Sequence, residues 1–434
     1  MSKYQKLLSA SVLVMGLGLV VNLVGLSKEL LVAYHFGIGD ILDIYSIGLA
    51  LPVLFSGFIG SSIGAAVIPA FMIARERGEE IKFLHEVSIM ILGCVFFLIM
   101  ICAVAGYFLM PYLAQGFSPE KRAAALLVML SSSPIILLQS FGSFFDGVLN
   151  ARKHFILSTC SSALIPFGTI ILLLLWPTGA VLALCTGLYV GYILKVVIQF
   201  KGLPSGFWSR SFNGMSWQSL YERNFILIRE FIFLLLSSVI LGLLPVIGQA
   251  YAATLPAGSV SSLSYANRLL GVGMAVVAGA INAIILPALA RQQLESVNKA
   301  TTLGTRLALF SLVVIAVLMI PAYWLLEPIV RLLLERGAFT GSDTDSVANL
   351  LFYYLPYVPL YICGLILARV LVSIGAARVF VVGNILSLTL YWAACALLTK
   401  KLGLVGIPMA LTLVYLVSCM YLYYSINRIS RITA

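Results

Sequence analysis

The stretch that decides the fold is residues 21–70, VNLVGLSKELLVAYHFGIGDILDIYSIGLALPVLFSGFIGSSIGAAVIPA. Two long apolar runs flank a short turn that contains glycine, and each run is long enough to cross a ~30 Å hydrocarbon core as a helix. The same stretch carries Lys28, Glu29, Asp40 and Asp43. A charge inside a span costs about 2.5–3.5 kcal/mol on insertion scales, so retained charges face a bundle interior or a wet cavity. The stretch predicts two membrane helices that carry a functional site.

The whole chain shares this apolar character. Its residues are 61% hydrophobic and 10% charged, whereas soluble domains carry about 25% charged residues. Apolar segments occur at 7–34, 43–73, 83–110, 122–149, 153–176, 178–200, 225–252, 258–289, 303–326, 346–372, 376–399 and 403–426. We therefore predict an all-α polytopic membrane protein with about twelve transmembrane helices.

The sequence contains a weak internal repeat. Residues 64–74 (GAAVIPAFMIA) overlay residues 282–292 (NAIILPALARQ) at a shift of 218, and Pro134 falls on Pro356 at a shift of 222. Two six-helix halves with the same membrane sense imply lobes related by a pseudo-twofold axis around a central cavity. We predict an N-lobe at 1–200 (helices 1–6), a cytoplasmic linker at 201–224 and a C-lobe at 225–434 (helices 7–12).

Charge distribution predicts the orientation. Most of the 27 Lys and Arg residues fall in loops on one side if both termini are cytoplasmic, as the positive-inside rule requires. Because these basic residues are scattered over short loops, the net charge of +11 does not indicate nucleic-acid binding. Asp146 and Arg369 fall near cytoplasmic helix ends, where we expect their charged groups to extend toward water.

Motifs for metal binding or catalysis are missing from the sequence. The seven cysteines lie in apolar runs without a CxxC pair, which is typical of small core residues. The chain has no Walker A, GxSxG or HExxH motif. We expect no metal site, no cofactor and no enzymatic activity; short outer loops also disfavour a membrane glycosyltransferase.

The first predicted helix carries a small, polar face. Gly18, Asn22, Gly25 and Glu29 recur at i, i+4, i+7 and i+11, and Lys28 lies at the edge of this face. The pattern is consistent either with a seam of small residues that packs against a neighbouring helix or with a charged pair that faces a cavity. Since adjacent residues on a helix do not face each other, we expect Lys28 and Glu29 to have separate partners.

Equivalent polar faces are predicted in the two halves. Asp43 and Ser46 share a face of the second segment, and the 218-residue shift places Ser264 and Arg268 on the equivalent face of the eighth. The planar guanidinium of a buried arginine suits phosphate. The alternative is a structural salt bridge from Arg268 to Asp43 or Glu29.

Three stretches resemble the MviN/MurJ lipid-flippase family of the multidrug/oligosaccharidyl-lipid/polysaccharide superfamily. They are LSKELLVAYHFGIGDILDIYSIGLALP followed by GAAVIP, GSVSSLSYANRLLGVGMAVVAGAINAIILPALAR, and LLERGAFT. The likeness extends over essentially the whole chain. It implies a flippase, not an enzyme, in the bacterial inner membrane. It also implies alternating access that moves an undecaprenyl-pyrophosphate-linked saccharide, a peptidoglycan or exopolysaccharide precursor, from the inner to the outer leaflet.

The resemblance also implies site residues. The family's Arg-Asp pair on the first helix appears here as Lys28-Glu29, an earlier family arginine appears as Asn22, and the family's Asp43 and Arg268 are retained. The chain has twelve predicted spans where peptidoglycan flippases usually have fourteen. Because of this difference and the lost arginines, a related carrier of another glycan precursor is an alternative to a peptidoglycan flippase.

The resulting hypothesis is that Lys28 and Arg268 hold a pyrophosphate by charge-assisted contacts. Residues expected to contact the saccharide or balance charge are Glu29, Asp43, Asn22, Asn267, Ser46 and Ser264. The membrane potential or a Na⁺ or H⁺ gradient would drive transport, and the partners would be the lipid-linked glycan and membrane lipids, with the protein as a monomer. The alternative is an ion-coupled extruder of amphipathic molecules of the multidrug type, for which a net-acidic cavity is expected.

Overall fold

The fold is helical throughout the part of the chain that the computed structural model describes, namely residues 3–204, 206–207, 239, 242–295, 297–374 and 376–432. The helices of the first part are α1 Lys3–Phe36, α2 Asp40–Glu76, α3 Glu80–Leu113, α4 Pro119–Ser132, α5 Ile135–Ala151, α6 Phe155–Ser162, α7 Leu164–Leu175 and α8 Ala180–Gln199. They are followed by α9 (242–252), α10 Ser259–Glu295, α11 Val297–Leu334, α12 Gly341–Tyr354, α13 Tyr357–Ser373, α14 Ala377–Leu402 and α15 Gly406–Ile432.

Helices lie in each of the twelve predicted apolar segments. Three segments contain two helices in succession: α4 with α5, α6 with α7, and α12 with α13. Of the seventh segment, only residue 239 and residues 242–252 are described. Residues 208–224 of the predicted linker lie outside the described residues.

Length and hydropathy identify membrane spans directly. Among the described residues, eight helical stretches are long and apolar enough to cross a membrane, or nine if the bent pair α12–α13 is counted as one span. Large apolar side chains cover the outer faces of α3 and α11; Phe96 is 69% exposed and Phe310 is 68% exposed. Contiguous apolar surface of this extent is unfavourable in water. The chain is therefore a polytopic helical membrane protein.

Internal contacts divide the chain into two compact units. Unit 1 comprises Met1–Val32 and Asp40–Val246, and unit 2 comprises Ala33–Gly39 and Ile247–Ala434. In unit 1, α2 packs mainly on α5, and α7 packs on α8. In unit 2, α13 packs on α11 and α15 around a buried cluster that includes Ala308, Ile362, Ile366, Val370 and Ile426.

Three helix lengths recur in the same order in the two units. Helices α2 and α10 each have 37 residues, α4 and α12 each have 14, and α5 and α13 each have 17. Pro134 caps the start of α5, and Pro356 lies in the turn before α13, where the helix bends by 44°. Proline lacks an N–H and clashes with the preceding turn, so it interrupts a helix at that point. The matching lengths and breaks are those expected of an internal repeat.

Helices α7 and α8 approach each other at three glycines. A Cβ atom added to Gly168 would lie 2.6 Å from the Gly187 carbonyl oxygen, and one added to Gly187 would lie 2.6 Å from Thr169 Cα. A Cβ on Gly191 would collide with the Ile165 carbonyl oxygen. Because backbone atoms cannot move aside as side-chain ends do, these positions require glycine. Small residues that allow close backbone approach are the usual basis of helix packing in membranes.

A buried ion pair joins three helices of unit 1. Lys195 Nζ lies 2.8 Å from Asp146 Oδ2, and Asp146 Oδ1 accepts hydrogen bonds from Ser158 Oγ at 2.6 Å and Gln199 Nε2 at 2.8 Å. The prediction that Asp146 extends toward water is wrong. Three donors from α6 and α8 hold the carboxylate in place, and hydrogen bonds of this kind compensate the loss of solvation.

We expect Gly191→Ala to destabilise the protein by about 1–3 kcal/mol, because overpacking forces helices apart. Gly57→Ala is the matched control, since a Cβ on Gly57 would meet no atom within 4 Å; replacing a helical glycine there should be neutral or slightly stabilising. Thermal unfolding of the detergent-solubilised variants measures both effects. Equal melting temperatures would contradict the close packing of α7 on α8.

We expect Asp146→Ala to cost about 3–5 kcal/mol, because it leaves the Lys195 ammonium buried without its carboxylate. The double variant Asp146→Leu/Lys195→Met should recover most of the loss, since apolar replacement of a buried pair is often neutral. A cycle of the unmodified protein, Asp146→Leu, Lys195→Met and the double variant is compared by thermal unfolding. Additive losses would mean that the two side chains do not stabilise each other.

Candidate functional site

The charged pair of α1 lies within a predicted span. Lys28 Nζ and the Glu29 carboxylate form a direct ion pair, and the two side chains keep only 10% and 13% of their exposure. This contact differs from the expectation that adjacent residues of a helix do not pair with each other. Both side chains are long and flexible, so their charged ends can meet although their Cβ atoms diverge. Their attraction is strong in a medium of low dielectric constant.

Among the described residues, nothing packs closely against the glycines of the α1 face. A Cβ atom added to Gly18 or Gly25 would meet no atom within 4 Å, in contrast to the glycines of α7 and α8. Asn22, between them on the same face, is half-buried. This part of α1 presents small and polar groups to open space, which favours the second interpretation of its sequence pattern.

The start of α2 adds a buried carboxylate. Asp43 is 3% exposed and lies in the first turn of the helix, with Ser46 buried on the same face one turn later. The partial positive charge at a helix N-terminus stabilises an anionic side chain at this position. Asp40, three residues earlier, instead forms an exposed ion pair with Lys121 at 2.5 Å. The two aspartates of the turn therefore have different environments.

The remaining predicted site residues lie on α10 in unit 2. Ser264, Asn267 and Arg268 are half-buried, and Asn267 makes a side-chain hydrogen bond with the Tyr354 hydroxyl of α12. Arg268 lies about nine residues after the start of α10, or ~14 Å along its axis. Lys28 lies about eight residues before the end of α1, or ~12 Å. Each of the two cations thus lies well inside its helix.

Residues 33–39, which we call the clasp, belong by their contacts to unit 2. Ala338 N donates to the Tyr34 carbonyl at 2.8 Å, Tyr265 Oη donates to the Gly37 carbonyl at 3.2 Å, and Gly39 N donates to Ser261 Oγ at 3.3 Å. The helices on either side of the clasp, α1 up to Val32 and α2 from Asp40, belong to unit 1. The clasp is therefore a backbone connection that unit 2 holds by hydrogen bonds.

Glycines make the clasp possible. Gly37 and Gly337 have φ values of +57° and +62°, in the left-handed region that side chains other than glycine disfavour. A Cβ on Gly37 would collide with the Ala338 carbonyl oxygen, and a Cβ on Gly337 would collide with the Tyr34 carbonyl oxygen. Sequence analysis noted the LLERGAFT motif that contains Gly337 but missed this contact, which joins residues about 300 positions apart in the chain.

Within the described residues, no group of three or more His, Cys, Asp or Glu side chains is placed to hold a metal ion. The chemistry available is that of ion pairs and hydrogen bonds: ammonium, guanidinium, carboxylate, amide and hydroxyl groups. Such groups can bind a polar, charged ligand inside the membrane and release it without covalent change. The fold and these residues define a polytopic α-helical membrane protein with charged groups inside its spans.

Comparison with known proteins identifies the family. A family profile described as lipid II flippase MurJ matches residues 32–434, and the chain belongs to that family. This confirms the resemblance found in the sequence. A "Probable lipid II flippase MurJ" of Rhizobium tropici is 25% identical over 362 residues, which cover 78% of this chain and 65% of that protein. The chain thus spans about two thirds of the length of this relative.

Solved structures agree on the fold. A structure described as lipid II flippase MurJ in an inward closed conformation superposes with a TM-score of 0.80 at 19% identity, and the match covers 96% of this chain and 87% of that one. An inward-facing multidrug resistance MATE family transporter of the MOP superfamily superposes with a TM-score of 0.66 at 14% identity, covering 95% of both chains. At these identities the likeness concerns the fold.

We expect Gly337→Ala to loosen the clasp, because the new Cβ adds a backbone collision to the cost of a positive φ. Gly78→Ala is the matched control, since Gly78 has a φ of +70° but open space around it; it should show only the conformational cost of about 1–2 kcal/mol. Hydrogen exchange of peptides that cover residues 33–39 should accelerate in Gly337→Ala alone. Unchanged exchange there would show that the clasp does not depend on this glycine.

Proposed function

We propose that this protein is a flippase that moves a polyprenyl-pyrophosphate-linked saccharide from the inner to the outer leaflet of a bacterial inner membrane. Membership of the lipid II flippase MurJ family supports this class of substrate. The observation that carries the proposal is the placement of buried or half-buried charge inside long helices of both units, at Lys28, Glu29 and Asp43 in one and at Arg268 in the other. Such charge has a functional use when a charged head must cross hydrocarbon.

Lys28 and Arg268 bind the pyrophosphate in this proposal. Without substrate, the Glu29 carboxylate occupies the position on the Lys28 ammonium that a phosphate oxygen takes when substrate binds. Exchange of one anion for another keeps the ammonium paired at each stage, so no uncompensated charge is left in a medium of low dielectric constant. Asn22, Ser46, Asn267 and Ser264 supply hydrogen bonds to the saccharide, and Asp43 balances the arginine.

Transport follows alternating access, as in other carriers built from two repeated halves. The clasp is the part of the chain that has to change, because unit 2 holds it while it continues directly into two helices of unit 1. Both termini lie in the cytoplasm, and the protein acts as a monomer. The membrane potential, or a Na⁺ or H⁺ gradient, supplies the driving force; one elementary charge moved through 100 mV is worth about 2.3 kcal/mol.

A multidrug extruder is the second candidate, because the MATE transporter shares the fold with a TM-score of 0.66. Export of an amphipathic cation would require a site of net negative charge. The identified groups are two cations and two carboxylates, so the net charge of the site is not negative. The two cations can bind an anionic ligand, and the carboxylates can pair with them when the ligand is absent. Transport of a lipophilic dye cation, and none of a lipid-linked saccharide, would favour the extruder.

We expect Lys28→Gln and Arg268→Gln each to reduce transport of a fluorescent lipid-linked saccharide in proteoliposomes at least tenfold. Loss of one charge-assisted hydrogen bond to phosphate is worth about 1.5–3 kcal/mol, which corresponds to this factor. Lys28→Arg should retain part of the activity, and Lys82→Gln, in the first turn of α3, should retain all of it. Undiminished transport by both glutamine variants, with normal thermal stability, would reject the site.

A further inference from the structure

A buried tyrosine of another helix holds the side chain of Asn267. This asparagine lies on α10 next to Arg268, and its side chain is hydrogen-bonded to the hydroxyl of Tyr354, the last residue of α12. Tyr354 is 2% exposed, whereas Asn267 is half-buried. An asparagine amide has two N–H donors and a carbonyl oxygen with two lone pairs. One hydrogen bond therefore orients the amide and leaves most of its capacity for a ligand.

The tyrosine is itself held by aromatic packing. The rings of Tyr354 and Tyr357 meet edge to face, with their centroids 6.0 Å apart. Tyr357, at the start of α13, packs in the same way on Tyr415 of α15 at 4.9 Å, and the side chains of these two residues are hydrogen-bonded. Edge-to-face pairs favour a particular ring orientation. The Tyr354 hydroxyl therefore has a defined position, set by residues of three helices.

The internal repeat shows that this type of helix contact does not need such a hydrogen bond. The 218-residue shift places Leu49 of α2 at the position of Asn267. The 222-residue shift places Ser132, the last residue of α4, at the position of Tyr354. Helix α2 packs on α4, yet Leu49 is apolar and the Ser132 hydroxyl donates to the Val128 carbonyl of its own helix. The amide and hydroxyl pair is thus a feature of unit 2.

The position of the pair indicates a ligand. Polar side chains inside membrane helices are costly and usually functional, and this amide lies beside the arginine that binds pyrophosphate in the proposed function. The part of the substrate nearest to a bound pyrophosphate is the sugar directly attached to it. An amide recognises a sugar through its hydroxyl or acetamido groups, which donate and accept hydrogen bonds.

We propose that Tyr354 is a positioning residue that orients the Asn267 amide for a hydrogen bond with the sugar attached to the pyrophosphate, an inference that rests on the proposed function. Tyr354 does not touch the substrate. It holds the amide in place before the substrate arrives, so that binding does not have to order that side chain. Selection of a saccharide-bearing carrier over bare polyprenyl pyrophosphate then depends on this pair.

The test measures kcat/KM in proteoliposomes for a polyprenyl pyrophosphate that carries a saccharide and for the bare polyprenyl pyrophosphate, and takes their ratio. Tyr354→Phe removes only the hydroxyl, and Asn267→Leu introduces the residue found at this position in unit 1. Each should lower the ratio about threefold or more, as expected for the loss of one neutral hydrogen bond, mainly through a higher KM for the saccharide carrier. The double variant should have the same ratio as Asn267→Leu.

Stability measurements distinguish positioning from a structural role. Replacing both partners of a hydrogen bond by apolar groups is often nearly neutral, so the double variant should unfold near the temperature of the unmodified protein and still lack the preference. Tyr391→Phe is the matched control, because Tyr391 is a similarly buried tyrosine of unit 2 whose hydroxyl is hydrogen-bonded to Cys395 of its own helix. It should leave the ratio unchanged.

Three results would overturn the proposal: no preference for the saccharide carrier in the unmodified protein, an unchanged ratio in Tyr354→Phe or in the double variant, and losses of the two single variants that multiply in the double variant. If the unmodified protein transports neither carrier, the proposed function fails and the positioning role fails with it. Transport of the saccharide carrier with an unchanged ratio in the variants rejects only the positioning role.

Discussion

A charged group inside the hydrocarbon region must have a partner, and the two buried ion pairs of unit 1 meet this requirement differently. Asp146 accepts from Lys195, Ser158 and Gln199, donors on two other helices, so removing it would disturb the packing of all three. Lys28 and Glu29 are neighbours on one helix, and their contact with each other joins no second helix to α1. The first pair therefore stabilises the packing of three helices, whereas the second lies within one helix. This difference is one reason for proposing α1 as a place for ligand binding.

Backbone geometry imposes a second constraint, and glycine meets it in two ways. Between α7 and α8, glycines allow the backbones of two helices to touch. Where the clasp meets the turn before α12, Gly37 and Gly337 allow the two backbones to touch in conformations with positive φ. The glycines of α1 do neither, because open space surrounds Gly18 and Gly25. The glycine content of a helix does not distinguish these three cases, although replacing the glycine has a different effect in each.

The helices were predictable from the sequence to within several residues, because long apolar runs are sufficient to define spans. The breaks at Pro134 and Pro356 were not predictable from proline alone, because Pro52 and Pro69 lie inside the continuous helix α2, and Pro321 lies inside α11. The partners of charged residues were not predictable either. Asp146 and Lys195 are separated by 49 positions, and periodicity carries no information about such a contact. For Lys28 and Glu29, the expectation relied on the spacing of Cβ atoms, whereas these side chains are long enough to reach around the helix.

A carrier for an amphiphile has to treat the two ends of its substrate differently. In the proposed cycle the head must encounter different surroundings in the two leaflets, since a ligand that binds two states equally shifts no equilibrium between them. The isoprenoid chain remains in hydrocarbon throughout, so its surroundings can stay the same in both states. Contacts with that chain would then raise affinity equally in both states and would not distinguish them. Under the proposal, the two states therefore differ at the charged groups, whose pairing changes when pyrophosphate replaces Glu29 on Lys28.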